Sequence, residues 1–309
     1  MRRPIYTLAS FVRGISLPRL MALSGHYVLC PYYHIVSDKD VPYVKHLYRY
    51  RDVDTFCRDL DFLQQHFRPI SWREIDSAEA EHTPSFCLTF DDGLREVYTT
   101  IAPILQERHI PAVFFLNSAC VDNRHLFYRY KVSLIIEEGL RRGKSEEWKQ
   151  QMLAMQYADT PQIDAIAQSL GINIEDYLKE TQPYLTYPQI RELQEAGFEF
   201  GGHTVDHPHM YQLAAAEQKR QVETCMQELR CHIDMPDNLF AYPFGQEFLS
   251  EEELKSLQQG MDMVFGTANM ESAPKPLYNR LWMEGVDYPA EDIIRGEYLR
   301  AIVKQRLHG

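Results

Sequence analysis

Along most of this chain, apolar runs that read as strands alternate with amphipathic segments that read as helices, and that order restricts the fold more than any other feature. Tyr27 to Val36 is apolar and aromatic enough for a buried strand, and Asp54 caps a following helix whose apolar face is Phe56, Leu60, Leu63 and Phe67. Ser71-Trp72-Arg73-Glu74 has capping-box spacing. Ser85 to Phe90 is the next buried strand, and Leu94 to Arg108 is helical, with Pro103 starting or kinking it. Pro111 to Leu116 adds another strand. Repeated strand-then-helix order with short connections implies a parallel sheet, and at 309 residues the expected α/β architecture is a distorted (β/α) barrel of about seven strands.

Between Cys120 and Pro183 the pattern changes to helix alone. Thr160 caps a helix with Pro161 at its first position, Ile163, Ile166 and Leu170 form one stripe, and Gly171 stops it. A helical insertion over about 120–183 is therefore expected, overhanging the rim that follows the Ala112 to Leu116 strand, where it would help shape a substrate site. Barrel logic returns with the capping box Thr186-Tyr187-Pro188-Gln189, a helix ending at Gly197 and the short strand Phe198-Glu199-Phe200. Residues 1–25 form a separate basic segment, with Arg2, Arg3, Arg13 and Arg19 and no acidic residue, ahead of a barrel over 26–309. They read as a helix docked on the barrel floor, with a basic membrane-surface anchor as the alternative.

Two carboxylates, Asp91 and Asp92, end the strand Ser85 to Phe90. A histidine pair, His203 and His207, follows the strand ending at Phe200. Both groups therefore sit at carboxyl ends of strands, where α/β folds place chemistry. One carboxylate and two imidazoles make a three-ligand set that leaves positions open for water and substrate, and the second carboxylate is free to take a proton. Gly201 and Gly202 allow close backbone approach or positive φ just before the first histidine.

Thr89-Phe90-Asp91-Asp92-Gly93, His203-Thr204-Val205-Asp206-His207 and Tyr242-Pro243-Phe244-Gly245 resemble, in order, the first three motifs of the polysaccharide deacetylases, carbohydrate esterases of the NodB-homology type. The likeness spans roughly residues 27–245. It implies a metal-dependent hydrolase that removes an acetyl group from an N- or O-acetylated sugar. Asp92, His203 and His207 would hold one divalent ion, zinc first, with cobalt, nickel, iron or manganese also accepted by such a mixed set. Asp91 would be the catalytic base. Tyr242, Pro243, Phe244 and Gly245 would bind substrate, with the Phe244 N–H facing the oxyanion.

Two departures from the family pattern stand out. Many members carry an arginine two residues before the proline of the third motif, tethering the base; here that position is Ala241. They also end on a strand bearing a histidine that acts as general acid, yet Asn279-Arg280-Leu281-Trp282-Met283-Glu284 has none. The acid is therefore unassigned: His34, at the end of the first strand, is a candidate catalytic residue, with Arg280 and Glu284 as alternatives, and His34 also reads as a packed core histidine. The missing acid leaves open a carbohydrate-binding relic that keeps the metal without turnover. A site of two histidines and one carboxylate also describes an iron oxygenase, but the aspartate doublet supplies a base that oxygen chemistry does not need.

A formal charge of −12 argues against nucleic acid as a partner. Six cysteines without a Cys-x-x-Cys pair suit a reducing compartment. The expected location is cytoplasmic, peripheral to the inner membrane face if residues 1–25 act as an anchor, and the expected partner is an acetylated glycan.

Overall fold

The computed structural model describes residues 14–308, so residues 1–13 of the basic segment lie outside the described residues. The chain begins with α1 (Leu17–Ser24), β1 (Val28–Leu29), β2 (Pro31–Tyr33), α2 (Val53–His66) and β3 (Arg68–Pro69), followed by β4 (Ser85–Phe86), β5 (Leu88–Phe90), α3 (Ala102–Glu107) and β6 (Ala112–Leu116). Four helices without strands come next: α4 (Tyr128–Arg141), α5 (Glu146–Leu153), α6 (Thr160–Ser169) and α7 (Ile174–Thr181). α8 (Tyr187–Glu195), β7 (Glu199–Gly202), α9 (Ala215–Arg230), β8 (Leu239–Ala241), α10 (Glu251–Leu257) and β9 (Met263–Gly266) resume the alternation. β10 (Leu277–Asn279), β11 (Leu281–Trp282) and α11 (Ala290–His308) complete it.

Eight strands form one parallel sheet in the order β10, β9, β8, β7, β6, β5, β2, β11. Its two edges belong to one segment: β10 pairs with β9 and β11 pairs with β2, and only Arg280 separates them. Counted as one interrupted strand, β10 and β11 bring the total to the seven expected, and the sheet is a distorted (β/α) barrel. The run Tyr27 to Val36 and the run Ser85 to Phe90 are each broken once, at Cys30 and Cys87. Their first halves, β1 and β4, leave the barrel to pair in a small sheet with β3.

Strand alternation decides what faces the lumen. In β6, Val113 and Phe115 pack with Leu239, Ala241, Met263 and Phe265 inside the barrel, while Phe114 and Leu116 join the outer core under the helices. The same parity turns Thr89 inward on β5, and Asp91 follows two residues later.

Local corrections are small and physical. Asp52, not Asp54, caps α2, because its side chain accepts the Thr55 N–H at 2.6 Å. Residues Val97–Ile101 form a π-helical turn ahead of α3, so Pro103 sits near the start of an α-helix and not inside a long one. Asp159 takes the cap of α6, and Thr160 is its first residue. α1 packs its buried Leu17, Leu20 and Met21 into the outer core, in contact with α11. Among the described residues, no helix is long and apolar enough to cross a membrane.

Candidate active site

Six side chains meet at the carboxyl end of the barrel: strand parity aims His34, Asp91 and His203 inward, and positive-φ turns in the loops bring in Asp92 and His207. His34 lies beyond β2, Asp91 and Asp92 beyond β5, His203 just past β7 and His207 on the loop after it; Arg280 comes from between β10 and β11. Asp91, Asp92, His203 and His207 are all buried. They border a cavity of about 320 Å³, together with Tyr32, His34, Tyr48, Phe127, Arg129, Tyr130, Phe244 and Trp282.

The backbone here is bent away from ordinary strand geometry. Asp92 (φ 72°), Thr204 (φ 72°) and His207 (φ 63°) occupy the left-handed region without being glycine. Such conformations cost about 1–3 kcal/mol each and persist only where surrounding contacts impose them. Gly201 and Gly202 serve close approach instead of positive φ. A Cβ on Gly201 would lie 2.5 Å from the Phe115 ring, and one on Gly202 would lie 2.6 Å from Met226 Sδ.

One ligating atom from each of Asp92, His203 and His207 lies within 4.8 Å of the others. Asp92 Oδ1 is 3.2 Å from His207 Nε2 and 3.5 Å from His203 Nε2, and it is buried without a hydrogen-bond partner. His203 Nδ1 donates to the Ala241 carbonyl at 2.7 Å, which leaves the Nε2 lone pair facing Asp92. Burial pulls the His203 pKa down to about 4, so the ring is neutral and its lone pair is available. The His207 ring stacks on Phe127 at 4.4 Å and 12°. An orphaned buried carboxylate oxygen opposite two imidazole nitrogens fits a small divalent cation, and it fits poorly with any purely structural role.

The second oxygen of Asp92 accepts a 2.6 Å hydrogen bond from the Tyr130 hydroxyl, on α4. Burial first, and then the Asp92 charge, keep that phenol well above its ordinary pKa, so it remains a donor. The helical stretch over 128–181 thus reaches the site directly through Tyr130, and Arg129 and Phe127 line the same cavity. A second tie runs from Tyr157, whose hydroxyl donates to Asp206 Oδ2 at 2.7 Å, within the His203 to His207 loop.

Asp91 has a different partner. Arg280 Nη1 and Nη2 donate to Asp91 Oδ1 and Oδ2 at 2.6 and 2.7 Å, a bidentate pair inside the barrel. Arg280 has no exposed surface, and its guanidinium carbon stands 4.4 Å from the centre of the Tyr32 ring. Burial alone would raise the Asp91 pKa. The Arg280 charge and hydrogen bonds act against it, and the carboxyl is held below its usual range. The tether missing at Ala241 is therefore supplied from another strand, and Arg280 is committed to Asp91.

His34 lines the same cavity. Its Nδ1 lies 2.8 Å from Glu284 Oε2, and Glu284 also accepts the backbone N–H groups of His34 and Ile35 at 3.0 and 3.2 Å. Burial acts to lower the His34 pKa, but the Glu284 hydrogen bond and charge, with Asp92 and Asp91, raise it to about 9. Glu284 is thus the partner of His34.

In the third motif, Tyr242 and Phe244 border the cavity, whereas Pro243 and Gly245 shape the turn behind it. The Tyr242 ring is buried against Phe240 in the outer core, so it meets the cavity through its backbone edge. Gly245 (φ 118°) cannot carry a Cβ, which would collide with Thr267 Oγ1.

A sequence model of the polysaccharide deacetylase family matches residues 78–264, and the chain belongs to that family of enzymes. His34, Arg280 and Glu284 fall outside the matched span. No curated protein matches the chain in sequence. Among solved structures, the chain is similar to the deacetylase PplD of Streptococcus pyogenes, with TM-score 0.59, 15% identity and coverage of 87% of this chain and 97% of that one. It is also similar to IcaB of Ammonifex degensii, with TM-score 0.57, 18% identity and coverage of 88% and 97%. A de-N-acetylase of Aggregatibacter actinomycetemcomitans gives TM-score 0.55, 17% identity and coverage of 82% and 93%. At these identities the likeness is one of fold, and the fold is the deacetylase barrel.

Proposed function

We propose that this chain is a metal-dependent deacetylase that hydrolyses the acetyl group of an N- or O-acetylated sugar. The observation that carries this reading is the division of labour between the two adjacent carboxylates: Asp92 is turned to two imidazoles, and Asp91 is turned to Arg280.

Asp92, His203 and His207 would hold the divalent ion. The chemistry such an ion supplies when bound is polarisation of the acetyl carbonyl and a more acidic water. Asp91 takes the proton of the attacking water, and Arg280 keeps it ionised and aimed at the pocket. The Phe244 backbone N–H supports the oxyanion. His34, protonated at neutral pH, gives its proton to the departing amine or alkoxide, and Glu284 holds the ring through Nδ1 so that Nε2 carries the transferable proton. An acid among the pocket-lining residues favours turnover over a binding relic.

The test is acetate release from N-acetylated glucosamine oligomers, with metal analysis of the same sample. The expected result is one divalent ion per chain, activity lost on chelation and restored on re-addition, and neither metal nor activity in His203→Ala. Full occupancy in that variant would remove the ligand assignment.

The acid carries its own signature. Glu284→Gln removes the charge that raises the His34 pKa, so the ring loses its proton at lower pH and the alkaline limb of kcat/KM should move down. A uniformly lower profile with both limbs in place would mean that Glu284 serves only packing.

A further inference from the structure

The two oxygens of Asp92 have different surroundings, and a residue of the helical insertion makes the difference. Oδ1 faces the His203 and His207 imidazoles and is buried without a hydrogen-bond partner, whereas Oδ2 accepts the Tyr130 hydroxyl at 2.6 Å. The Tyr130 ring is braced for this contact. It stacks on Phe127 at 4.0 Å and 29° and on Tyr184 at 6.3 Å and 28°, and Tyr43 meets it edge-on at 5.4 Å. Because its proton goes to Asp92, the Tyr48 hydroxyl, 3.4 Å away, is placed to donate to the Tyr130 oxygen. The end of the insertion is also stitched to the turn that carries Asp92. The Leu185 N–H donates to the Gly93 carbonyl at 2.9 Å, the Arg95 N–H donates to the Pro183 carbonyl at 2.8 Å, and Leu94 and Tyr184 form an antiparallel bridge.

We propose that Tyr130 is a positioning residue of the metal centre: its hydroxyl commits Asp92 Oδ2 and leaves Oδ1 as the one carboxylate oxygen offered to a divalent ion. The inference rests on the reading of Asp92, His203 and His207 as metal ligands. A carboxylate with both oxygens free can turn and offer an ion one oxygen or two, and a second oxygen would fill a position that water or an acetyl oxygen needs. Tyr130 removes that choice. It acts through Asp92 and takes no part in proton transfer, and its ring is fixed by neighbours, so the carboxylate is oriented before an ion arrives. Hydrogen bonds of this kind to ligating side chains typically carry a share of roughly 10–100-fold in metal affinity. The helical insertion, otherwise a wall of the cavity, thereby becomes part of the centre itself.

The experiment titrates the full-length protein, stripped of metal, with Co²⁺ and records both the dissociation constant and the visible absorption of the bound ion, which reports its coordination number and geometry. Tyr130→Phe keeps the stacked ring and removes only the hydroxyl. The expected result is a Kd raised roughly 10–100-fold and, at saturating Co²⁺, an absorption spectrum different from that of the wild type. Tyr157→Phe is the control, because it removes another tie from the insertion, to Asp206 in the histidine loop, and leaves both Asp92 oxygens as they are. It should keep the wild-type spectrum. An unchanged Kd or an unchanged spectrum in Tyr130→Phe would overturn the proposal, and so would the same two changes in Tyr157→Phe, which would make the insertion a general brace. A wild-type chain that bound no Co²⁺, or a His203→Ala variant that bound it as tightly, would remove the ligand assignment itself, a result distinct from a wild-type site that Tyr130→Phe leaves unaltered.

Discussion

Asp91→Asn is expected to lower kcat by roughly 10²–10⁴, the range of a lost general base, while metal content stays at the wild-type level. The amide keeps the shape of the carboxylate and one accepting oxygen but takes no proton at neutral pH. It would also face the Arg280 fork with an NH2 group where an oxygen belongs, which loosens one of the two hydrogen bonds. Asp92→Asn should behave in the opposite order, losing metal first and activity in consequence, because its Oδ1 is the atom facing both imidazoles. Metal analysis and acetate release on the same two preparations decide the matter. If Asp91→Asn lost the ion and Asp92→Asn kept it, the roles in the doublet would have to be exchanged.

Arg280→Met should be the most damaging single change to stability. It leaves the Asp91 carboxylate inside the barrel without its cation, and breaking a buried pair in this way typically costs about 3–5 kcal/mol. The expected readout is a lower midpoint in urea, together with an acidic limb of kcat/KM moved to higher pH, since burial then raises the Asp91 pKa without the Arg280 charge and hydrogen bonds against it. The sign of the linkage is definite. The native Asp91 pKa lies below its ordinary value, so the pair stabilises the fold at neutral pH and that contribution is lost as pH falls through the lowered pKa. Arg280→Met with Asp91→Leu should recover much of the stability and none of the activity. Wild-type stability in Arg280→Met alone would show that the pair contributes nothing to the fold.

The parts of this site carried by local pattern are legible in the amino-acid sequence alone. Asp91, Asp92, His203 and His207 stand at or just beyond ends of apolar runs; strand parity points Asp91 and His203 inward, while Asp92 and His207 arrive through positive-φ turns. Pairing at a distance leaves no such mark. Arg280 is 189 positions from Asp91 and Glu284 is 250 from His34, and nothing in either segment names its partner. Ala241 reads as a missing tether when its strand is taken by itself, whereas a closed barrel lets an arginine reach the same carboxylate from another strand. Tyr130 is hidden for a similar reason: a tyrosine on a helix among other aromatics carries no sign that its hydroxyl ends on Asp92. Asp52 and Asp54 are equally good caps by composition, and only the 2.6 Å bond to Thr55 separates them.

The segment that seals the barrel is also the one that equips it. Leu277 to Trp282 joins both edges of the sheet, carries Arg280 at the seam and leads directly to Glu284. Until it docks, Asp91 has no tether and His34 no partner, even though every candidate metal ligand has already been made. Closure of the wall and assembly of both pairings therefore depend on the same short stretch of chain, so a change that loosens the seam disturbs the tether of Asp91 and the partner of His34 together.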